Sequence, residues 1–227
     1  MIKEIIDKLV ALLAVSALLA SCSESELWQN PQTEARDGYI MLNFKTEIPA
    51  MQEVVTRAVD PDGGGVQDMT LFCFDSYGLF ISTVKAGVTV QKPGPGEMEG
   101  TFKAEVPENT RTIHFLANQN MDEFKEDSFR NKSESEVMAV LEGSSGRMIY
   151  WGRFACDAGN DSNIAEQMAT SGNSVKLIRN HARISVDNPD NNGHIVITGF
   201  AVCNTNAFGT VAPHHPKKGF DFTWPSS

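Results

Sequence analysis

From residue 38 onward, the apolar residues of this chain come in short runs, with Gly, Pro, Asn and Asp standing between them. Runs of that length suit strands, and turn residues at short intervals fold each strand back on the last. "GYIMLNFKT" (38–46) is apolar at Tyr39, Ile40, Met41, Leu42 and Phe44, on both faces, as expected for a strand inside a sandwich. "MTLFCFDSYGLFISTV" (69–84) is two such runs joined by Asp75-Ser76-Tyr77-Gly78, whose turn chemistry predicts a hairpin. "AGVTVQ" (86–91) is a further strand, and "KPGPGE" (92–97) is a loop because its prolines cannot continue a ladder. Met98, Phe102, Ala104 and Val106 then alternate with Glu99, Thr101, Lys103 and Glu105, which predicts a half-buried strand with one wet face. "RTIHFLANQ" (111–119) repeats the alternation, with Ile113, Phe115 and Ala117 inward and His114 outward.

One helix is signposted. Ser133 and Glu136 have the spacing of a capping box, Val137, Met138, Val140 and Leu141 supply an apolar stripe, and Gly143 is placed to end it. "GRMIYWGRF" (146–154) returns to strand. In "NSVKLIRNHARISVD" (173–187) the inward residues are Val175 and Leu177, then Ala182, Ile184 and Val186, a phase slip that predicts a bulge or bend near Arg179-Asn180. "NPDNNG" (188–193) makes a tight connection into "HIVITGFAVCNT" (194–205), a second hairpin. Together these segments predict an all-β sandwich with one short helix in a connection.

The N-terminus carries an address. Residues 1–21 have a short charged start and an apolar stretch from Leu9 to Ala20, too short to span a bilayer permanently but right for a signal-peptide core. Leu19-Ala20-Ser21-Cys22 resembles the lipobox of bacterial lipoproteins, which predicts cleavage between Ser21 and Cys22 and lipidation (palmitate among the acyl chains) of Cys22. Several acyl chains on one cysteine make a stable anchor, since each buried methylene contributes roughly 0.8 kcal/mol. Residues 22–36 are polar, contain Pro and lack periodicity, as a flexible tether does. The acidic "SESE" after and including the serine that follows Cys22 resembles the surface-export signal of Bacteroidetes-type lipoproteins, pointing to the outer face of the outer membrane.

Composition removes other classes. A net charge of −10 with no basic block is a poor match for nucleic acid. Cys73, Cys156 and Cys203 form no disulfide framework, and Cys73 and Cys203 sit in apolar runs as small buried hydrophobes. No Gly-x-Ser-x-Gly elbow or phosphate-binding Gly loop is present, so no enzyme is expected. His214-His215 is a polar loop rather than a metal site, because neighbours on an extended chain point apart. The Asp- and Gly-rich "DPDGGG" (60–65) and "DNPDNNG" (187–193) are read as turns, and no cofactor or metal is expected. Trp28, Trp151 and Trp224 would form a sugar-stacking platform only if the fold gathered them.

Taken in order, the lipobox with its tether, "MTLFCFDSYGLF", "IHFLANQN", "MIYWG", "VKLIRNHARISV" and "ITGFAVCNTNAFGTVAP" resemble the fimbrillin family, the type V pilins of Bacteroidetes. The resemblance runs through nearly all of residues 17–213. It implies a Greek-key, transthyretin-like pilin N-terminal sandwich over 37–213, with 214–227 beginning a C-terminal region that is truncated or missing, where the family commonly has a second sandwich and donor strands. It also implies a surface-exposed subunit of a fimbrium, a stalk, tip or anchor, held to the outer membrane by its lipid. A trypsin-like protease would cut between Arg57 and Ala58, the first strand (Tyr39, Ile40, Met41, Leu42, Phe44) would leave, and a strand from another fimbrial subunit would take its place. Arg36 is a competing site whose cleavage would only free the chain from its lipid and leave the first strand in place. The other class of reading is a surface lipoprotein that binds glycan or peptide on its sandwich loops without polymerising, for which an exposed aromatic cluster would speak.

Overall fold

The computed structural model describes residues 35–47, 66–93, 98–144, 148–180, 199, 201, 203 and 208–223. The strands are β1 (Tyr39–Glu47), β2 (Met69–Phe74), β3 (Phe80–Lys85), β4 (Gly87–Pro93), β5 (Met98–Pro107), β6 (Thr112–Ala117), β7 (Glu142–Ser144), β8 (Tyr150–Ala155), β9 (Ser174–Lys176), β10 (Ile178–Arg179), β11 (Phe208–Thr210), β12 (His214–His215) and β13 (Gly219–Phe220). Helices α1 (Glu134–Met138) and α2 (Ile164–Thr170) and a 3₁₀ turn (Glu126–Phe129) lie in the connections. A four-stranded sheet, β4-β5-β1-β9, packs on a five-stranded one, β10-β8-β6-β2-β3. The sandwich expected from the strand runs is present.

Among the described residues every strand pairing is antiparallel except that of β1 with β9. The β2–β3 hairpin turns as its residues require. Asp75 Oδ1 accepts the backbone N–H groups of Tyr77 (2.8 Å) and Leu79 (3.0 Å), and Gly78 takes a left-handed φ of +71°. Between the sheets lies a core built from Ile40, Leu42 and Phe44 of β1, Phe102, Ala104 and Val106 of β5, Leu71 and Cys73 of β2, and Ile113 and Phe115 of β6. Ile164, Ala165 and Met168 of α2 pack into the same core.

A second core covers the opposite face of the five-stranded sheet. Phe72, Phe74, Leu116 and Trp151 meet Val137, Met138 and Leu141, together with Val211 and Ala212 from the C-terminal part of the chain. Phe220 and Phe222, beyond residue 213, pack against this layer. Every residue of β2 and of β6 is therefore buried.

That layer corrects the expectation for His114. The alternation along β6 is real, but the face it assigns to solvent is covered, and His114 is fully buried. Cys203 is exposed where burial was expected, while Cys73 is buried as read and burial pushes its thiol up to about 12. Helix α1 begins with the predicted capping box but stops at Met138. Val140 is half exposed, and Gly143, expected to end the helix, instead pairs with Gly209 in β7–β11. A second helix, α2, was not anticipated. Asn163 caps it by accepting the Glu166 N–H at 3.0 Å, and three buried apolar residues line its inner face. The chain changes sheet at Leu177, with β9 paired to β1 and β10 to β8; the phase slip expected beyond it, between Leu177 and Ala182, runs into residues outside the described set. The segment with Ala182, Ile184 and Val186, and most of the expected 188–205 hairpin, lie outside the described residues. His214 and His215 form a strand of a small exposed hairpin with β13, not a loop.

Candidate functional site

Strand β1 is the element that the sequence singles out, and its surroundings define what it can do. Along it, alternate side chains point into the core: Ile40, Leu42, Phe44 and Thr46 are each at most 4 % exposed. Phe44 stacks on Phe102 of β5 (ring centroids 5.5 Å) and meets Phe115 of the other sheet edge-on (5.0 Å). Met41 is buried on the opposite face, and Tyr39 is partly exposed at the start of the strand. Thr46 is the odd member of the row, with a buried hydroxyl that has no hydrogen-bond partner among the described residues.

The two edges of β1 differ. Towards β5 it is paired continuously, from Tyr39 opposite Pro107 to Thr46 opposite Gly100. Towards β9 it is paired only over Lys45, Thr46 and Glu47. Burying Ile40, Leu42 and Phe44 at roughly 1.5–3 kcal/mol each gives on the order of 5–9 kcal/mol, a sum comparable to the whole stability of a domain. Losing β1 would therefore be affordable only with a replacement strand.

Both ends of β1 are pinned. At the start, the Tyr39 N–H donates to Arg36 O (3.0 Å), Glu108 N–H donates to Gly38 O (3.0 Å), and the Arg36 guanidinium lies over the Tyr39 ring and reaches Glu105 at 2.7 Å. At the end, Glu47 O accepts the Leu177 N–H at 2.7 Å. Ahead of β2, next to the buried Val66, Asn118 holds the chain. Its Oδ1 accepts the Gln67 N–H (2.8 Å), its own N–H donates to the Asp68 carboxylate (2.9 Å), and its Nδ2 donates to Met148 O (3.1 Å). Strand β2 is thus fixed to β6 and to the approach to β8 through contacts in which β1 takes no part. In the sequence Asn118 stands within "IHFLANQN" with nothing to mark it as a clip beyond its type and place. The signal for its role is an asparagine at a strand end, where a left-handed φ (here +62°) is tolerated.

Of the other sequence-derived site residues, Ser21, Cys22, Arg57 and Ala58 lie outside the described residues. Trp151 is buried, and Trp28 and Trp224 are outside the described set. The large exposed aromatics are Tyr39 on one sheet and Tyr77 at the β2–β3 turn of the other, so no stacking platform forms among the described residues. Nor do three His, Cys, Asp or Glu side chains converge there as metal ligands would.

One buried polar network went unread in the sequence. Trp151 Nε1–H donates to His114 Nδ1 (3.1 Å), which leaves the imidazole proton on Nε2, donated to Glu134 at 2.7 Å. Arg153 completes the set with two bonds to the same carboxylate, at 2.7 and 3.1 Å. Burial opposes the charge on Glu134, but the bonds from His114 and Arg153 outweigh it and hold the carboxyl down at about 2. Burial also pushes the His114 imidazole below its ordinary value, against the pull of Glu134. Phe222 lies edge-on to His114, with ring centroids 4.8 Å apart. The network ties β6, β8, α1 and the C-terminal segment together, with His114 fully buried and Glu134 and Arg153 reaching the surface in part.

No family model matches the sequence, and no curated protein matches it. Among solved structures, a fimbrial assembly protein from Parabacteroides distasonis ATCC 8503 is similar to it at 11 % identity and a TM-score of 0.33, over 62 % of this chain and 54 % of that one. The chain thus spans about half the length of that protein.

Proposed function

We propose that this chain is a structural subunit of a surface fimbria that assembles by strand exchange. It is carried to the outer membrane on a lipid at Cys22, and a trypsin-like protease cuts between Arg57 and Ala58. Strand β1 then leaves, and a strand from another subunit enters the groove between β5 and β9. The observation that carries this reading is the placement of β1. Among the described residues it is the first strand, it lies inside a sheet, it fills the core with three apolar side chains, and the next described strand, β2, is clipped in place independently by Asn118. A groove vacated by β1 would offer unpaired backbone along β5 and apolar pockets at alternate positions, the two things an extended donor strand satisfies.

The test is to purify the exported chain, treat it with trypsin, and follow its N-terminus, mass and oligomeric state with and without other subunits. The expected product starts at Ala58 and gains a donor strand from a partner subunit in a complex that survives dilution. A chain cut at Arg57 that keeps residues 39–47 bound and takes up no partner strand would sink the proposal.

A further inference from the structure

Arg36 stands one turn ahead of β1, and the fold holds its peptide bond in a shape that proteases do not accept. Arginine-specific proteases bind the residues on both sides of the scissile bond as an extended strand. Here the chain turns instead. Arg36 O accepts the Tyr39 N–H at 3.0 Å, closing a turn over Asp37 and Gly38, and Gly38 has a φ of +76°. From Tyr39 onward the residues are committed to the ladder with β5, and Gly38 O is occupied by the Glu108 N–H. The Arg36 side chain itself is 67 % exposed, so a protease can reach it; the backbone that follows is what cannot be threaded. An ion pair that exposed is a weak lock, which leaves the β1–β5 pairing as the strong one.

We infer that Arg36–Asp37 is a gated cleavage site for an arginine-specific protease, closed while β1 is paired with β5 and opened when β1 leaves. The step is hydrolysis: water adds across the amide, Arg36 gains a carboxylate, Asp37 gains an amine, and nothing is oxidised or reduced. The closed state stands on the geometry above, while the opening by strand departure rests on the proposed exchange. Cleavage at Arg57 followed by opening of this gate would release residues 37–57 from the lipid anchor as a free peptide.

The experiment incubates the exported chain with trypsin and sequences the N-termini over time, beside a synthetic peptide of residues 31–44. The Asp37 terminus is expected at least 100-fold more slowly from the native chain than from the peptide. Leu42→Ala, which loosens β1, is expected to speed Arg36 cutting about tenfold, in step with faster amide exchange at Ile40 and Leu42, whereas Glu105→Gln changes it less than threefold. Should Leu42→Ala fail to fold, wild-type chain in urea below its unfolding midpoint gives the same comparison. Equal cutting of chain and peptide overturns the gate, as does faster β1 exchange without faster cutting. If the gate opens with β1 but Arg57-cut chains never accept a strand, the gate stands and the assembly reading alone fails.

Discussion

Asn118 engages a backbone N–H, a carboxylate and a carbonyl from two other segments while its own backbone sits at φ +62°. Asn118→Ala should cost about 2–4 kcal/mol, because it orphans buried polar groups and strains a left-handed position. Asn118→Gly should recover about 1 kcal/mol of that, since only the backbone strain is relieved. Urea melts of both variants check the difference. Gly152 is the second residue on which the backbone depends. A Cβ there would lie 2.6 Å from Lys176 O, where the chain passes from one sheet to the other, so Gly152→Ala should destabilise by about 1–3 kcal/mol, measured the same way. Neither role was legible in the sequence. An asparagine at a strand end and a glycine inside one are visible, but what passes over them comes from residues more than twenty positions away. His114 was misread for a related reason: alternation gives two faces to a strand, and says nothing about whether both are covered.

Among the elements, β1, the β2–β3 hairpin and the start of α1 were legible because each is encoded locally, by an apolar run, an Asp-to-Gly turn or a capping box. Helix α2 was missed although Asn163 and Glu166 have cap spacing, because its short apolar face sits among polar turn residues. The change of sheet at Leu177 left no mark in the sequence, since Val175 and Leu177 keep one phase across it. Within β1, the orphan hydroxyl of Thr46 is a local weakness in an otherwise apolar row. Thr46→Val should stabilise the chain by about 1 kcal/mol. If β1 is the strand that is exchanged, the same variant should slow its departure, seen as slower loss of residues 39–47 from Arg57-cut chains by mass.

For the molecule as a whole, acid should act through the His114–Glu134–Arg153 network. The folded-state value of His114 lies below its ordinary 6.5, so as pH falls past 6.5 the unfolded chain takes up a proton that the folded chain resists, and stability drops. Glu134 adds to this lower down. Its stabilisation is complete above its ordinary 4.5 and is lost as pH falls towards about 2. The melting temperature should therefore decline in two stages on acidification, and His114→Gln should remove the first, as thermal melts between pH 7 and 3 would reveal. The second core has a consequence of its own. Because β2, β6 and β8 are sealed on their outer side by α1, Phe222 and their neighbours, that half of the molecule does not depend on β1 for all its burial. The chain should behave as two cooperative folding units of unequal lifetime. In native-state amide exchange, Phe72, Leu116 and Trp151 should outlast Ile40 and Leu42, so that a chain with β1 detached would be a hinged-open shell with a memory of its shape rather than an unfolded chain.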